Sequence, residues 1–216
     1  MNKSFLRNLQ FPVIVLLLGS TLFFAFRNTD KANTSNNESE ASNTGTPKAA
    51  IEPDHKDVIH ENYRVYSPPV PTSIDFAGEA VPLNNTEVYD RLDRELVINT
   101  FWHSSTILIH KRAARWFPII EPILKEEGVP DDLKYLAVIE SGLDNAVSPA
   151  GARGFWQFMP ATGKSYDLEI NAYVDERYNL EKATRAACRL LKSNQRMFGS
   201  WTMAAAAYNM GPTGLQ

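Results

Sequence analysis

Helical periodicity runs through the chain after Leu83 and constrains the fold more than any other feature of the sequence. Asn84 followed by Glu87 forms a capping-box pattern, and Val88, Leu92 and Leu96 then lie on one apolar stripe. No segment shows the apolar–polar alternation that a sheet of any size requires. The sequence therefore predicts a mainly α domain.

Proline and glycine punctuate this helical pattern. The first stripe continues through Ile107 and Leu108 to Trp116, after which Pro118 and Pro122 are expected to break it. A short amphipathic turn or helix should follow before Gly128. Further helices are predicted at 130–141, ended by Gly142, near 161–166, from about 179 to 196 and at 201–208.

The N-terminus has the composition of an export signal. The run from Phe11 to Phe26 is nearly all apolar, and Lys3 and Arg7 precede it. Its length lies between a signal-peptide core of about 7–15 residues and a membrane span of about 20. Residues 1–27 are predicted to be an uncleaved signal anchor, with a cleaved signal peptide as the alternative. The domain that follows should therefore act outside the cytoplasm.

Two segments connect this run to the helical domain. Residues 28–50 are rich in Asn, Ser, Thr and Glu and should form a disordered tether, because they offer little apolar surface to bury. Residues 51–83 are Pro-rich and are expected to form an irregular lead-in that lies on the domain. The helical domain itself is assigned to 84–216.

Composition excludes several classes of protein. With 22 Lys and Arg against 25 Asp and Glu, the net charge is -3, so no basic surface for nucleic acid is expected. Cys188 is the single cysteine, which excludes an internal disulfide framework and a Cys-rich zinc site. It is predicted to be a small buried hydrophobe on a helix. The four histidines lack zinc-site spacing, and no metal or other cofactor is expected.

Glu140 is a carboxylate on the apolar side of its predicted helix. Leu133, Leu136, Ala137 and Glu140 follow the i, i+3, i+4, i+7 spacing of one face. A desolvated glutamate has a raised pKa and can serve as a general acid near neutral pH. Alternatively, Glu140 stays solvated at the helix end or pairs with Arg153.

The residues that follow favour the catalytic alternative. Gly151 and Gly154 allow close backbone approach, and Gln157 places an amide between Trp156 and Phe158. Amides and aromatic faces suit a sugar, although ordinary core is the alternative for these rings and one of the two is expected to belong to it. Farther on, Tyr208 and Asn209 could form a second wall of a cleft or simply cap their helix.

Four ordered motifs follow one another along the chain: Glu140-Ser141, Ser148-Pro149-x-Gly151-Ala152-x-Gly154, Gln157-x-Met159-Pro160 and Ala207-Tyr208-Asn209-x-Gly211. Together they resemble the motifs of lytic transglycosylases of the soluble type, which have a goose-lysozyme-like (SLT) domain. The stretch from Phe76 to Leu143 resembles the membrane-bound lytic murein transglycosylase D group, so the resemblance covers about Phe76 to Gln216.

The resemblance implies a lysozyme-like helical fold with a catalytic cleft that binds peptidoglycan glycan strands in the bacterial cell envelope. It implies cleavage of the β-1,4 bond between N-acetylmuramic acid and N-acetylglucosamine, with formation of a 1,6-anhydro ring. Glu140 matches the single catalytic glutamate. Positions that match substrate-binding residues are Ser148, Gln157, Met159, Tyr208 and Asn209.

Two alternatives remain beside this interpretation: a lysozyme-type muramidase on the same fold, and a non-catalytic peptidoglycan-binding module. Asp144 is the acid nearest to Glu140 in sequence, but a loop role suits it better than that of a second catalytic carboxylate. Family domains continue with further helices, so the resemblance implies a domain truncated at its C-terminal end.

Overall fold

The computed structural model describes residues 66–211 and 214. The predicted signal anchor, the tether and the first part of the lead-in lie outside these residues. Within the described part of the chain, no helix is long and apolar enough to cross a membrane.

The described residues form a mainly helical domain with one small hairpin. Strands β1 (Asp75–Phe76) and β2 (Glu79–Ala80) pair antiparallel, with Phe76 opposite Glu79. The α-helices are α1 (Thr86–Phe101), α2 (His103–Glu126), α3 (Tyr135–Ser141), α4 (Pro160–Ser165), α5 (Leu180–Phe198) and α6 (Trp201–Met210), with single 3-10 turns at Asp131–Lys134 and Glu176–Tyr178.

The main core lies between α2, α3, α5 and α6. Fully buried side chains include Ile120, Leu124, Leu136 and Leu191. Ala204 and Ala205 of α6 are also fully buried, in the helix whose alanine-rich composition predicts close packing. A smaller cluster forms where Leu92 and Leu96 of α1 meet Val70, Ile74 and Leu83.

The two prolines do not break α2, contrary to the sequence prediction. The helix continues through Pro118 and Pro122 to Glu126. Both prolines and Ala114 are solvent-exposed, so the carbonyls that lose an N–H partner lie on the face that water can reach. The opposite face buries Phe117, Ile120 and Leu124, and this packing outweighs the local signal.

The first helix also begins and ends differently from the prediction. Its N-cap is Asn85 rather than Asn84, because the Asn85 Oδ1 accepts the Glu87 N–H at 2.9 Å. The apolar stripe that suggested one helix up to Trp116 is divided at Trp102, whose backbone is non-helical. The later predictions hold: Gly142 ends α3 in a left-handed conformation, and Asn179 caps α5.

Cys188 lies fully buried on α5, as predicted, and burial raises the pKa of its thiol to about 12. The thiol is therefore protonated and unreactive at neutral pH. Its role is to fill space in the core.

Candidate active site

Glu140 lies in the last turn of α3, at the end of a helical segment that begins with the 3-10 turn at Asp131. The preceding residues Leu136 and Ala137 are buried, and Glu140 itself is half-buried. Gly142 then reverses the chain with φ of 62°, and its N–H caps the helix by donating to the Val138 carbonyl. The short helix therefore presents the carboxyl group at the border between core and solvent.

Desolvation by the surrounding core raises the pKa of Glu140 to about 7. Among the described residues, none donates a hydrogen bond to its carboxylate or forms an ion pair with it. Arg153, the alternative partner considered from sequence, instead contacts the Asp175 carboxylate at 3.3 Å and lies over the Tyr178 ring. Glu140 is thus a carboxyl group that is about half protonated at neutral pH.

Asp144 has a different partner. Its carboxylate lies 3.0 Å from the Arg112 guanidinium, which also donates to the Gly142 carbonyl at 3.0 Å. Arg112 thereby fixes the chain just after Glu140. The pairing agrees with the loop role expected for Asp144.

The loop after α3 is fastened to it by Ser141. The Ser141 hydroxyl lies 2.9 Å from the Phe155 carbonyl and 3.0 Å from the Ala137 carbonyl of its own helix. Gly154, which precedes Phe155, has φ of 80°, and a Cβ added there would lie 1.9 Å from the Arg177 carbonyl oxygen. Gly154 is therefore required for the close backbone approach that the sequence predicted.

Gln157 points its amide back into the loop. Its Nε2 donates to the Ala146 and Gly154 carbonyls at 3.0 and 2.8 Å, and its backbone is left-handed with φ of 47°. No described residue donates to its Oε1. The side chain therefore holds the loop closed while keeping one acceptor available to a ligand.

Ser148 and Met159 lie at the two ends of the same loop. The half-buried Ser148 Oγ accepts the Ala152 N–H at 3.0 Å, which leaves its own hydroxyl proton to donate. Met159 caps α4 at its N-terminus and is 42% exposed. Ser148 and Gln157 thus lie in one loop, and Met159 is its last residue before α4.

Trp156 and Phe158 both belong to the core, so neither ring offers its face to a sugar. They are 1% and 3% exposed, and the Trp156 indole N–H donates to the Thr184 hydroxyl at 2.9 Å. Alternation along this segment leaves Gln157 between two buried rings.

Tyr208 joins α6 to this loop. Its hydroxyl donates to the Trp156 carbonyl at 2.7 Å, and its ring contacts those of Trp156 and Phe158. Burial, and next the nearby Glu140 charge, raise the pKa of Tyr208 well above its usual value. The phenol is therefore neutral beside Glu140. Asn209 follows it, half-buried in the same turn.

The structure thus brings Glu140, the 146–159 loop and the end of α6 together. The family model of the transglycosylase SLT domain matches residues 117–216. The similarity to this domain therefore covers the part of the chain from Phe117 to Gln216, which includes Glu140. This confirms the resemblance inferred from the motifs.

Two curated proteins that are similar to this chain share the name membrane-bound lytic murein transglycosylase D. They come from Escherichia coli strain K12 and from E. coli O6:H1 strain CFT073. Each is 31% identical over 141 residues, which cover 63% of this chain and 30% of the relative. The chain therefore matches less than a third of the length of these relatives.

Sequence reasoning missed Arg177, which binds the loop between α3 and α4 from the side of the core. This residue is 3% exposed, and its Nη1 donates to the Gly151 and Phe158 carbonyls at 2.9 and 3.0 Å. Its Nε and Nη2 bind both oxygens of Asp175 at 2.8 and 2.7 Å. The Asp-x-Arg spacing was visible in the sequence, but nothing local indicated that Arg177 is buried.

Residues 66–211 and 214 contain no group of three or more His, Cys, Asp or Glu side chains that could hold a metal ion. The candidate site in these residues is centred on the Glu140 carboxyl group, with the neutral Tyr208 phenol near it.

Proposed function

We propose that the chain is a peptidoglycan lytic transglycosylase that cleaves the β-1,4 bond between N-acetylmuramic acid and N-acetylglucosamine, with Glu140 as general acid and then general base. The observation that carries the proposal is the Glu140 carboxyl group, whose pKa burial raises to about 7 in an SLT domain. A group with this pKa can both give and take a proton at neutral pH.

In the first step, the protonated Glu140 gives its proton to the glycosidic oxygen as the bond from that oxygen to C1 of the muramoyl residue breaks. The N-acetyl carbonyl oxygen of the same sugar bonds to C1 and takes up the developing positive charge. This substrate-assisted route needs no second carboxylate, whereas most glycosidases use two. It is consistent with Asp144 being paired with Arg112.

In the second step, the Glu140 carboxylate accepts the proton of the muramoyl 6-hydroxyl. The 6-oxygen bonds to C1, the bond to the N-acetyl oxygen breaks, and a 1,6-anhydro ring closes. Glu140 is then protonated again, and no water is consumed. The neutral Tyr208 places no second negative charge beside the carboxylate during this step.

We assign substrate binding to Ser148, Gln157, Met159, Tyr208 and Asn209. Ser148 offers a hydroxyl proton and Gln157 offers Oε1, which together suit the hydroxyl and acetamido groups of the glycan. The exposed part of Met159 offers an apolar surface to a sugar ring. Tyr208 donates its hydroxyl proton to the Trp156 carbonyl, so its part in substrate binding is to form the wall of the cleft beside Glu140.

We also propose that the domain acts in the bacterial cell envelope, held to a membrane by the apolar segment predicted at 1–27. The two relatives are named membrane-bound, which supports this location. Fractionation of cells that express the full chain, with and without residues 1–27, tests the proposal. Recovery of the full chain in a soluble fraction without processing would contradict it.

The experiment that tests the activity is a digest of purified peptidoglycan, read by mass spectrometry before and after borohydride reduction. A transglycosylase releases muropeptides that are one water lighter than hydrolysis products and that resist reduction. Reducible ends would instead identify a muramidase. Binding without release would identify a non-catalytic module.

Glu140→Gln supplies the matched negative control, because it keeps the size of the side chain and removes the acid. Glu87→Gln is the positive control, since that side chain is 71% exposed on α1. The proposal requires anhydro products from the protein and from Glu87→Gln, and none from Glu140→Gln.

A further inference from the structure

The hairpin formed by β1 and β2 contacts both helical segments that carry the site. Its four strand residues lie 60 or more positions before Glu140 in sequence, outside the 117–216 family match. Phe76 anchors it in the main core with 5% of its surface exposed. The hairpin is therefore part of the domain, and its polar contacts lead to the site.

The first contact is with the N-terminus of α6. The Glu79 carboxylate accepts the Trp201 N–H at 2.6 Å, the Ser200 hydroxyl at 2.7 Å and the Thr202 N–H at 3.1 Å. Burial alone would raise the pKa of Glu79, but the hydrogen bonds from Thr202, Ser200 and Trp201 lower it to about 2. Glu79 is thus an ionised cap, supplied by a distant segment, for the helix that carries Tyr208.

The second contact is with the 3-10 turn that leads into α3. The Ala77 N–H at the hairpin tip donates to the Asp132 Oδ2 at 2.7 Å. Ala77 has φ of 54°, a conformation that a residue with a Cβ rarely adopts. The hydrogen bond and the burial of Phe76 together hold the tip in this conformation.

The spacing along each helix connects these contacts to the site. Tyr208 follows Trp201 by seven residues, so both lie on one face of α6. Glu140 follows Asp132 by eight residues within one continuous helical segment. At the opposite end, the hydrogen bonds from Tyr208 to Trp156 and from Ser141 to Phe155 connect the same two helices through the loop.

We propose that the hairpin Asp75–Ala80 is a clamp that fixes α6 against α3, and that Glu79 is a positioning residue that holds Tyr208 beside Glu140. The proposal rests on the function proposed above. It adds that this reaction depends on a carboxylate that binds the α6 backbone and lies outside the residues assigned to the substrate.

Loss of Glu79 should displace α6 rather than unfold it. The Ser200 Oγ independently accepts the Met203 N–H at 3.2 Å, so the helix keeps a cap of its own. Ala204, Ala205 and Ala207 also remain buried. The expected consequence is that water reaches Glu140 and that its geometry with Tyr208 loosens.

The experiment compares Glu79→Ala and Glu79→Gln with Glu87→Gln, which removes an equivalent charge from the exposed start of α1. Three quantities are measured: amide hydrogen exchange of Trp201 and Thr202, the pKa of Glu140 by carbon-detected NMR, and kcat and KM on a soluble glycan of defined length. In Glu79→Ala, exchange should accelerate and the pKa of Glu140 should fall by about one unit as water enters. The value of kcat should fall by about tenfold with KM nearly unchanged.

Glu79→Gln keeps one acceptor oxygen and should give intermediate values, and Glu87→Gln should match the wild type. The clamp is refuted if exchange accelerates while the pKa of Glu140 and kcat stay at their wild-type values, because Glu79 would then only cap a helix. Should Glu79→Ala fail to fold, the Gln variant alone decides. The exchange and NMR measurements need no turnover. If the wild type releases no anhydro products, the proposed function fails, and the exchange and NMR measurements still test the clamp.

Discussion

Replacing Glu140 by Gln should make the protein more stable at alkaline pH while removing its activity. Desolvation raises the pKa of the Glu140 carboxyl from 4.5 to about 7. This shift of about 2.5 units corresponds to about 3 kcal/mol, at about 1.36 kcal/mol for each unit. Because the folded state binds the proton more tightly, wild-type stability is undiminished below about pH 4.5 and falls as the pH rises through about 7.

The glutamine side chain in this variant carries no ionisable group, so the variant does not lose the stability that the wild type loses when Glu140 deprotonates. At pH 4 the two proteins should have nearly equal free energies of unfolding. At pH 8 the variant should be more stable by about 3 kcal/mol, which is a rise in Tm of roughly 6 to 12 °C for a domain of this size. The measurement is urea unfolding of both proteins at pH 4, 6 and 8, and the difference between them cancels the titration of all other groups.

Glu87→Gln controls for the loss of one negative charge, because that glutamate is exposed and forms only a surface pair with Arg91. Its difference from the wild type should remain below about 0.5 kcal/mol at every pH. If Glu140→Gln and the wild type lose stability in parallel between pH 4 and pH 8, the carboxyl group is solvated, and the reasoning that makes it a general acid fails.

Other substitutions test the loop and the tyrosine. Gly154→Ala should reduce stability by at least about 3 kcal/mol, whereas Gly151→Ala, with a similar φ but open space around it, should reduce it by about 1 kcal/mol; equal thermal shifts would contradict the close approach. Arg177→Lys cannot keep both the Nη1 bonds to the two loop carbonyls and the paired Nε and Nη2 bonds to Asp175, so it should reduce stability in urea by about 2 to 4 kcal/mol; an unchanged midpoint would show that the loop does not depend on Arg177. Tyr208→Phe should reduce stability by about 1 kcal/mol and reduce turnover, since it leaves the Trp156 carbonyl unpaired; unchanged values of both in the same assays would remove the residue from the site.

Nearby residues in the sequence were sufficient to predict the helices that carry the site. Gly142 ends α3 because a left-handed residue is needed there, and Asn179 and Ser200 start α5 and α6 through side-chain caps. The face on which Glu140 lies followed from helical spacing alone. These features depend on residues three or four positions apart, which a single sequence displays directly.

Features that depend on distant partners could not be read in the same way. The continuation of α2 through Pro118 depends on which face of the helix is exposed. The burial of both Trp156 and Phe158 depends on packing across the loop. The role of Arg177 depends on the Gly151 and Phe158 carbonyls, which are distant from it in sequence and close to it only in the folded chain. Each of these is a tertiary contact between segments that are far apart in sequence.

The same division explains how the site is built. Glu140 has no hydrogen-bonding partner in the described part of the chain, and its raised pKa comes from desolvation. Such a pKa depends on the packing of neighbouring elements and is lost if they move apart. The charged side chains Arg112, Arg177 and Glu79 bind backbone groups of the elements around it, at the end of α3, in the loop and at the start of α6. Charged side chains thus bind the backbone around Glu140, and none in the described part of the chain binds its carboxylate. This matters because a cation bound directly to Glu140 would lower the pKa on which its proton transfer depends.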